Sequence, residues 1–139
     1  MFIGIISDTH DNMDNIRKAV ALFESRGIDT IIHAGDIVAP FAAKALRDFK
    51  GTIHAVYGNN DGEHKGLAGV LDICDPPRRL EMGGRTIVVA HDTSELPDPI
   101  PDDVDVTITG HTHEVVMEKG THIKINPGEA GGWLHGRAT

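Results

Sequence analysis

The residues of this chain best suited to bind a metal ion stand at the ends of its short apolar runs, and this placement limits the fold more than any other feature. Phe2 to Ile6 is apolar and stops at Ser7-Asp8, with His10 just beyond. Thr30 to Ala34 ends at Gly35-Asp36, Thr52 to Tyr57 at Gly58-Asn59-Asn60-Asp61, and Arg85 to Ala90 at His91. Short uninterrupted apolar runs read as strands of the kind a parallel sheet buries. In an open α/β sheet, ligands bind beyond the carboxyl ends of the strands, so residues far apart in the chain can meet there.

The segments between these runs agree. After Asp11 and Asn12, either of which could cap a helix, apolar residues recur at Ile16, Ala19, Val20 and Phe23, and Gly27 stands where the helix should stop. Pro40 opens a second helical pattern with Phe41, Ala45, Leu46 and Phe49, closed by Gly51. The opening is therefore β-α-β-α. After Asp75-Pro76-Pro77 the sequence becomes strand-rich: Arg79 to Met82 and Arg85 to Ala90 flank Gly83-Gly84, a hairpin signal. Val104, Val106 and Ile108 alternate with Asp105, Thr107 and Thr109, the pattern of a half-buried strand. Val115 to Glu118 and His122 to Ile125 flank Lys119-Gly120 as a second hairpin, and the proline-rich stretch Leu96 to Pro101 reads as a connector.

Size and charge narrow the function classes. The 139 residues suit one soluble domain spanning 1–139, with a core of Ile, Val, Leu and Ala because only 4% of residues are aromatic. Thirteen Lys and Arg against 21 Asp and Glu leave a net charge of −8, which argues against sequence-independent binding to nucleic acid or to anionic membranes. No apolar run approaches the roughly 18 residues that a membrane span needs. A single cysteine, Cys74, and a functional Asp as early as position 8 lead us to expect a reducing cytoplasm and no cleaved leader.

Asp8, His10, Asp36, Asn59, His91, His111 and His113 supply two carboxylates, one amide and four imidazoles. Seven such ligands exceed the needs of one tetrahedral zinc and suit two ions sharing a carboxylate bridge. The i, i+2 spacing of Asp8 with His10 and of His111 with His113 would, in extended chain, point both side chains of each pair the same way. Oxygen and nitrogen donors without thiolate favour Mn, Fe, Zn, Ni or Co, and four imidazoles disfavour Mg and Ca. Manganese is the first expectation.

The ordered motifs Asp8-Thr9-His10, Gly35-Asp36, Gly58-Asn59-Asn60-Asp61, His91, Gly110-His111-Thr112-His113 and Asn126-Pro127-Gly128 resemble the calcineurin-like metallophosphoesterases, in particular their small bacterial and archaeal phosphodiesterases. The resemblance covers essentially the whole chain. It implies a four-layer αββα sandwich of two mixed sheets flanked by helices, with the dimetal site at one edge of the two sheets. It further implies that Asp8, His10 and His113 hold one ion, that Asn59, His91 and His111 hold the other, and that Asp36 bridges them. Two divalent ions would outweigh the two carboxylates, attract a small phosphoester and ionise a bridging water for in-line attack on phosphorus. Asn60, His91, His111 and His113 are the residues expected to act on the substrate. The rival expectation is a protein-interaction scaffold like the retromer sorting subunit, which shares the fold. The complete donor set favours the enzyme.

Three departures from the family pattern stand out. Asn60 replaces a His that many relatives carry, and an amide cannot protonate a leaving alkoxide. His64 is one candidate substitute, and poor supply of that proton would favour esters with good leaving groups. Asp92 follows His91 where relatives have Gly, ahead of the short proline-rich loop. The chain ends at Thr139, where relatives continue into closing strands; an unpaired sheet edge would invite a homo-oligomer. Among the remaining residues, His33 reads as a core histidine bonded to backbone before it reads as functional. Asn126-Pro127-Gly128 is either a site lining through backbone or a plain turn, Trp133 an interface or lid contact or part of the core, and Cys74 a small hydrophobe.

Overall fold

The computed structural model describes residues 2–139. Three parallel strands, β1 (Ile3–Ile6), β2 (Thr30–His33) and β3 (Thr52–Val56), lie side by side and are linked by helices α1 (Met13–Ser25) and α2 (Pro40–Leu46). Asn12 caps α1, its side chain accepting the Asn15 N–H at 3.2 Å, and Gly27 follows the helix with φ +66°. Pro40 occupies the first turn of α2, where its missing N–H costs no helix bond.

A short helix α3 (His64–Ala68) leads to a fourth parallel strand, β4 (Asp72–Cys74), beside β3. Sequence periodicity does not reveal either: five and three residues are too few to establish a period of 3.6 or 2.

The second sheet has the order β5-β6-β7-β9-β8, from β5 (Arg78–Met82), β6 (Arg85–Val89), β7 (Val106–Ile108), β8 (Val115–Lys119) and β9 (Ile123–Pro127). The β5-β6 and β8-β9 pairs are the two expected hairpins, whereas β6, β7 and β9 run parallel. Residues alternate between two cores. Ile31, Ile53 and Ala55 face the helices with Ile16, Val20 and Leu46, whereas Ile32, Ala34 and Val56 meet Ile87, Val89 and Ile108 between the sheets.

The architecture is thus α/β, two packed sheets flanked by helical elements. On the outer side of the second sheet that flanking layer is reduced to one 3₁₀ turn, Thr93–Glu95, and the proline-rich loop. A cleft of about 570 Å³ separates this loop from Thr107 and Thr109. Both threonines are buried, so β7 is not half-solvated as its alternation suggests. No helix among the described residues is long and apolar enough to cross a membrane.

Candidate metal centre

Because β1, β2 and β3 run parallel, as do β6 and β7, their carboxyl ends deliver all seven expected donors to one edge. The local backbone is not extended there. Asp8, His10, Asp36, His111 and His113 all have positive φ, between 41° and 68°. The i, i+2 pairs therefore converge through left-handed turns and not, as their spacing suggests, through extended chain. Such conformations are uncommon outside glycine and gather where the surrounding structure enforces them.

Enforcement comes from buried hydrogen bonds. The Asp61 carboxylate accepts the backbone N–H groups of Asp36 (3.0 Å), Val38 (2.6 Å) and Gly58 (2.7 Å). It ties the Asp36 turn to the Asn59 turn. Asn126 does the same for the histidine turn, its Nδ2 donating to the Gly110 carbonyl (2.7 Å) and to Thr112 Oγ1 (3.1 Å). The Asn126-Pro127-Gly128 motif thus acts through a side chain. Gly58 and Gly110 are required by close approach: an added Cβ at either would collide with the carboxylate of Asp36 or Asp8 respectively.

The donor atoms form two groups. In the first, His113 Nε2 lies 3.3 Å from Asp8 Oδ1 and 3.4 Å from His10 Nε2. Asp8 Oδ1 is buried and has no hydrogen-bond partner among the described residues. An orphaned carboxylate oxygen facing two imidazole nitrogens is costly unless a cation completes it. In the second group, Asn59 Oδ1 is 2.9 Å from His91 Nε2 and 3.0 Å from His111 Nδ1. Asp36 Oδ2 sits 3.5 Å from His10 Nε2 and 3.4 Å from His91 Nε2, between the groups. These residues fit one or two hard-to-borderline cations.

Charge states follow from these contacts. Burial would raise Asp36, but the His91 hydrogen bond and those from Asn60 outweigh it and hold the carboxyl far below its usual range. Burial would lower His91, yet the Asp36 bond, the Ala34 carbonyl and nearby carboxylates raise it to about 9 in the metal-free protein. Asp8 is also lowered: burial opposes, but the His10 imidazole 3.7 Å away and the Ser7 hydroxyl prevail.

The outer nitrogens of three imidazoles face oxygen atoms, although His113 Nδ1 is buried without a hydrogen-bond partner among the described residues. His91 Nδ1 is 2.8 Å from the Ala34 carbonyl. His111 Nε2 is 3.2 Å from Asp92 Oδ2, and His113 Nδ1 is 3.4 Å from Glu129 Oε2. The His91 hydrogen bond fixes which of its ring nitrogens faces a metal. Sequence reading missed Glu129, although a lone acid within Gly-Glu-Ala-Gly-Gly was a signal. It also left Asp61 without a role.

Asn60 donates through its backbone N–H and its side chain to Asp36, at 2.8 and 2.7 Å. His64 is not among the residues lining the adjoining cleft and stacks on Tyr57 with ring centroids 3.8 Å apart. His33 is a core residue, bonded to Thr9 (3.2 Å) and to the Gly35 N–H (3.2 Å), and burial lowers it to about 4.

Residues 1–139 match the family model of the calcineurin-like phosphoesterase superfamily domain. The chain belongs to this superfamily. As a calcineurin-like phosphoesterase it is 40% identical over 149 residues to a phosphodiesterase of Methanocaldococcus jannaschii, covering 100% of this chain and 90% of that protein. A solved archaeal phosphodiesterase superposes with a TM-score of 0.90 at 40% identity, covering 98% of this chain and 88% of the other. YfcE, a phosphoesterase from E. coli, gives 0.76 at 22% identity with coverages of 94% and 80%, and Vacuolar Protein Sorting 29 of Cryptosporidium parvum gives 0.69 at 20% with 94% and 75%. The last two likenesses concern the fold alone. Calcineurin-like phosphoesterases are divalent-metal hydrolases of phosphoesters, and the two donor groups are this chain's candidate ligands.

Proposed function

We propose that the chain is a cytoplasmic, metal-dependent phosphodiesterase of small phosphoesters, using two divalent transition-metal ions with manganese foremost. The observation that carries this reading is Asp36 Oδ2 lying between two groups of nitrogen and oxygen donors, one of them containing an orphaned carboxylate oxygen. Asp8, His10 and His113 would hold one ion, Asn59, His91 and His111 the other, and Asp36 both. When bound, the ions supply Lewis acidity, a nucleophile from water near neutral pH and stabilisation of charge on the phosphoryl oxygens.

The protein's own groups do the rest. The Ala34 carbonyl holds His91, and the carboxylates of Asp92 and Glu129 stand beside the outer nitrogens of His111 and His113, whose opposite ring nitrogens face inward. Asp61 fixes the Asp36 backbone and Asn60 the Asp36 carboxylate. Among the described residues no imidazole outside the donor set lines the cleft, and the Asn60 amide has no proton to give a leaving alkoxide. Esters whose leaving group departs unprotonated, such as aryl diesters, are accordingly favoured. A scaffold would be expected to have replaced one or more donor positions by non-ligands, and here all seven hold residues able to coordinate. Among the described residues β1 pairs only with β2, and its free edge leaves room for self-association.

The test is to strip the protein with chelator, restore Mn, Ni, Zn or Mg, and assay bis-p-nitrophenyl phosphate beside p-nitrophenyl phosphate while counting bound metal. Diesterase activity that metal restores, and that Asp36→Asn and His111→Ala abolish, is expected. A folded protein with two bound metals and no turnover of either ester would overturn the enzyme reading in favour of the scaffold.

A further inference from the structure

Trp133 is 66% exposed, yet it is held in one orientation. Its indole Nε1–H donates to the His10 carbonyl at 3.0 Å and its backbone N–H to Glu129 Oε1 at 2.8 Å. The Leu134 N–H donates to Glu129 Oε2 at 3.0 Å, and Glu129 itself is buried. The preceding residues are tied to the end of β1: Ala130 N–H donates to the Ser7 carbonyl (3.0 Å) and Gly131 N–H to the Asp8 carbonyl (2.8 Å). The Gly131 carbonyl in turn accepts from the side chains of Asn12 (2.7 Å) and Asn15 (3.1 Å). A Cβ at Gly131 would stand 3.0 Å from both the Asp8 carbonyl oxygen and Trp133 Cδ1, so glycine permits the indole to sit this close to the donor turn.

An indole whose N–H is satisfied and whose ring is bare is a preset apolar plate, and ordering it costs nothing further when a ligand arrives. The plate shares a cleft of about 590 Å³ with the imidazoles of His10 and His113 and with Val38 and Leu134. Apolar walls beside a few polar groups that fix one end of the ligand are the usual make-up of a small-molecule site. A phosphoester anchored at the donor cluster would extend one substituent along Trp133, Leu134 and Val38.

We propose that Trp133, with Leu134 and Val38, forms a subsite that stacks a flat aromatic ring carried by one ester oxygen of the substrate. This rests on the phosphodiesterase reading and gives it a substrate class. Stacking on an aromatic side chain typically strengthens binding by about tenfold or more.

The experiment titrates the metal-loaded protein with phenylphosphonate and methylphosphonate by calorimetry, and with adenosine 5′-phosphate against ribose 5-phosphate to separate a nucleobase from a simple aryl ring. Trp133 is the chain's one tryptophan, so quenching of its fluorescence reports contact directly. In the unaltered protein at least one ring-bearing ligand binds about tenfold tighter than its ringless partner and quenches the indole. Trp133→Ala abolishes that preference with metal content unchanged, and Trp133→Phe restores most of it. Equal affinities within both pairs, or a preference that survives Trp133→Ala, overturns the subsite. If diester is cleaved without ring preference, only the subsite falls. If the metal-loaded protein neither binds these anions nor cleaves diester, the phosphodiesterase reading falls and takes the subsite with it.

Discussion

Replacing Asp61 tests how the donor turns are held. Its two oxygens accept three backbone N–H groups within 3.0 Å, and the residue is 4% exposed. Asp61→Ala leaves those donors unpaired, and each unsatisfied buried group costs about 1–3 kcal/mol. Water entering the vacated space offsets part of this, so a loss of about 3–5 kcal/mol is expected, a large share of a typical domain's stability. Val38, a β-branched residue held at φ +86° through one of the three bonds, then relaxes. Asp61→Asn keeps one acceptor oxygen and turns an N–H₂ towards a remaining donor, for a smaller loss of about 1–3 kcal/mol. Urea unfolding in excess chelator measures this without the added stabilisation of bound metal. An Asp61→Ala protein within about 1 kcal/mol of the parent, or an Asn variant as unstable as the Ala variant, would refute the reasoning.

Other outcomes follow from the same geometry. Asp92→Gly removes the carboxylate beside His111 Nε2, and competition with a chromogenic chelator should show metal affinity falling by about tenfold or more at one of two sites. In the metal-free protein His91 is raised to about 9 from an unfolded value near 6.5. Its stabilisation is complete below about pH 6.5 and is lost as pH rises through 9, so chelator-treated protein should unfold more readily in urea at pH 9.5 than at pH 6.5. Asp36, whose carboxyl is lowered, contributes above its ordinary value near 3.9 and loses that contribution as pH falls further, so the same protein should weaken again in acid. Asn60→His should raise turnover of alkyl diesters relative to aryl diesters by about tenfold or more, and an unchanged ratio would show that no leaving-group proton is missing.

Which parts of the molecule are legible from sequence depends on how far each signal reaches. The donor positions were readable because strand ends, glycine turns and ligand residues coincide, and parallel topology then brings them together. Backbone conformation at those ends was not: nothing in Asp8-Thr9-His10 announces that Asp8 and His10 both adopt positive φ, because the cause lies in bonds to distant residues such as Gly35 and Asp36. Likewise Asp61 looks like one more loop acid until the fold sets it beneath three amides. β4 was hidden for the opposite reason, since three residues carry no period and only their place beside β3 makes them a strand.

The two sheets divide the donors between them: Asp8, His10, Asp36 and Asn59 follow strands of the first, and His91, His111 and His113 follow strands of the second. The seam of Ile32, Ala34 and Val56 against Ile87, Val89 and Ile108 therefore acts as a spacer that sets the gauge of the centre. Trimming a methyl group far from any donor, as in Ile108→Val, lets the sheets settle by a fraction of an ångström, and each donor on one side shifts in unison against those on the other. The spacing between the two donor groups is in that sense a property of the hydrocarbon interior, open to tuning by substitutions that touch none of the donors.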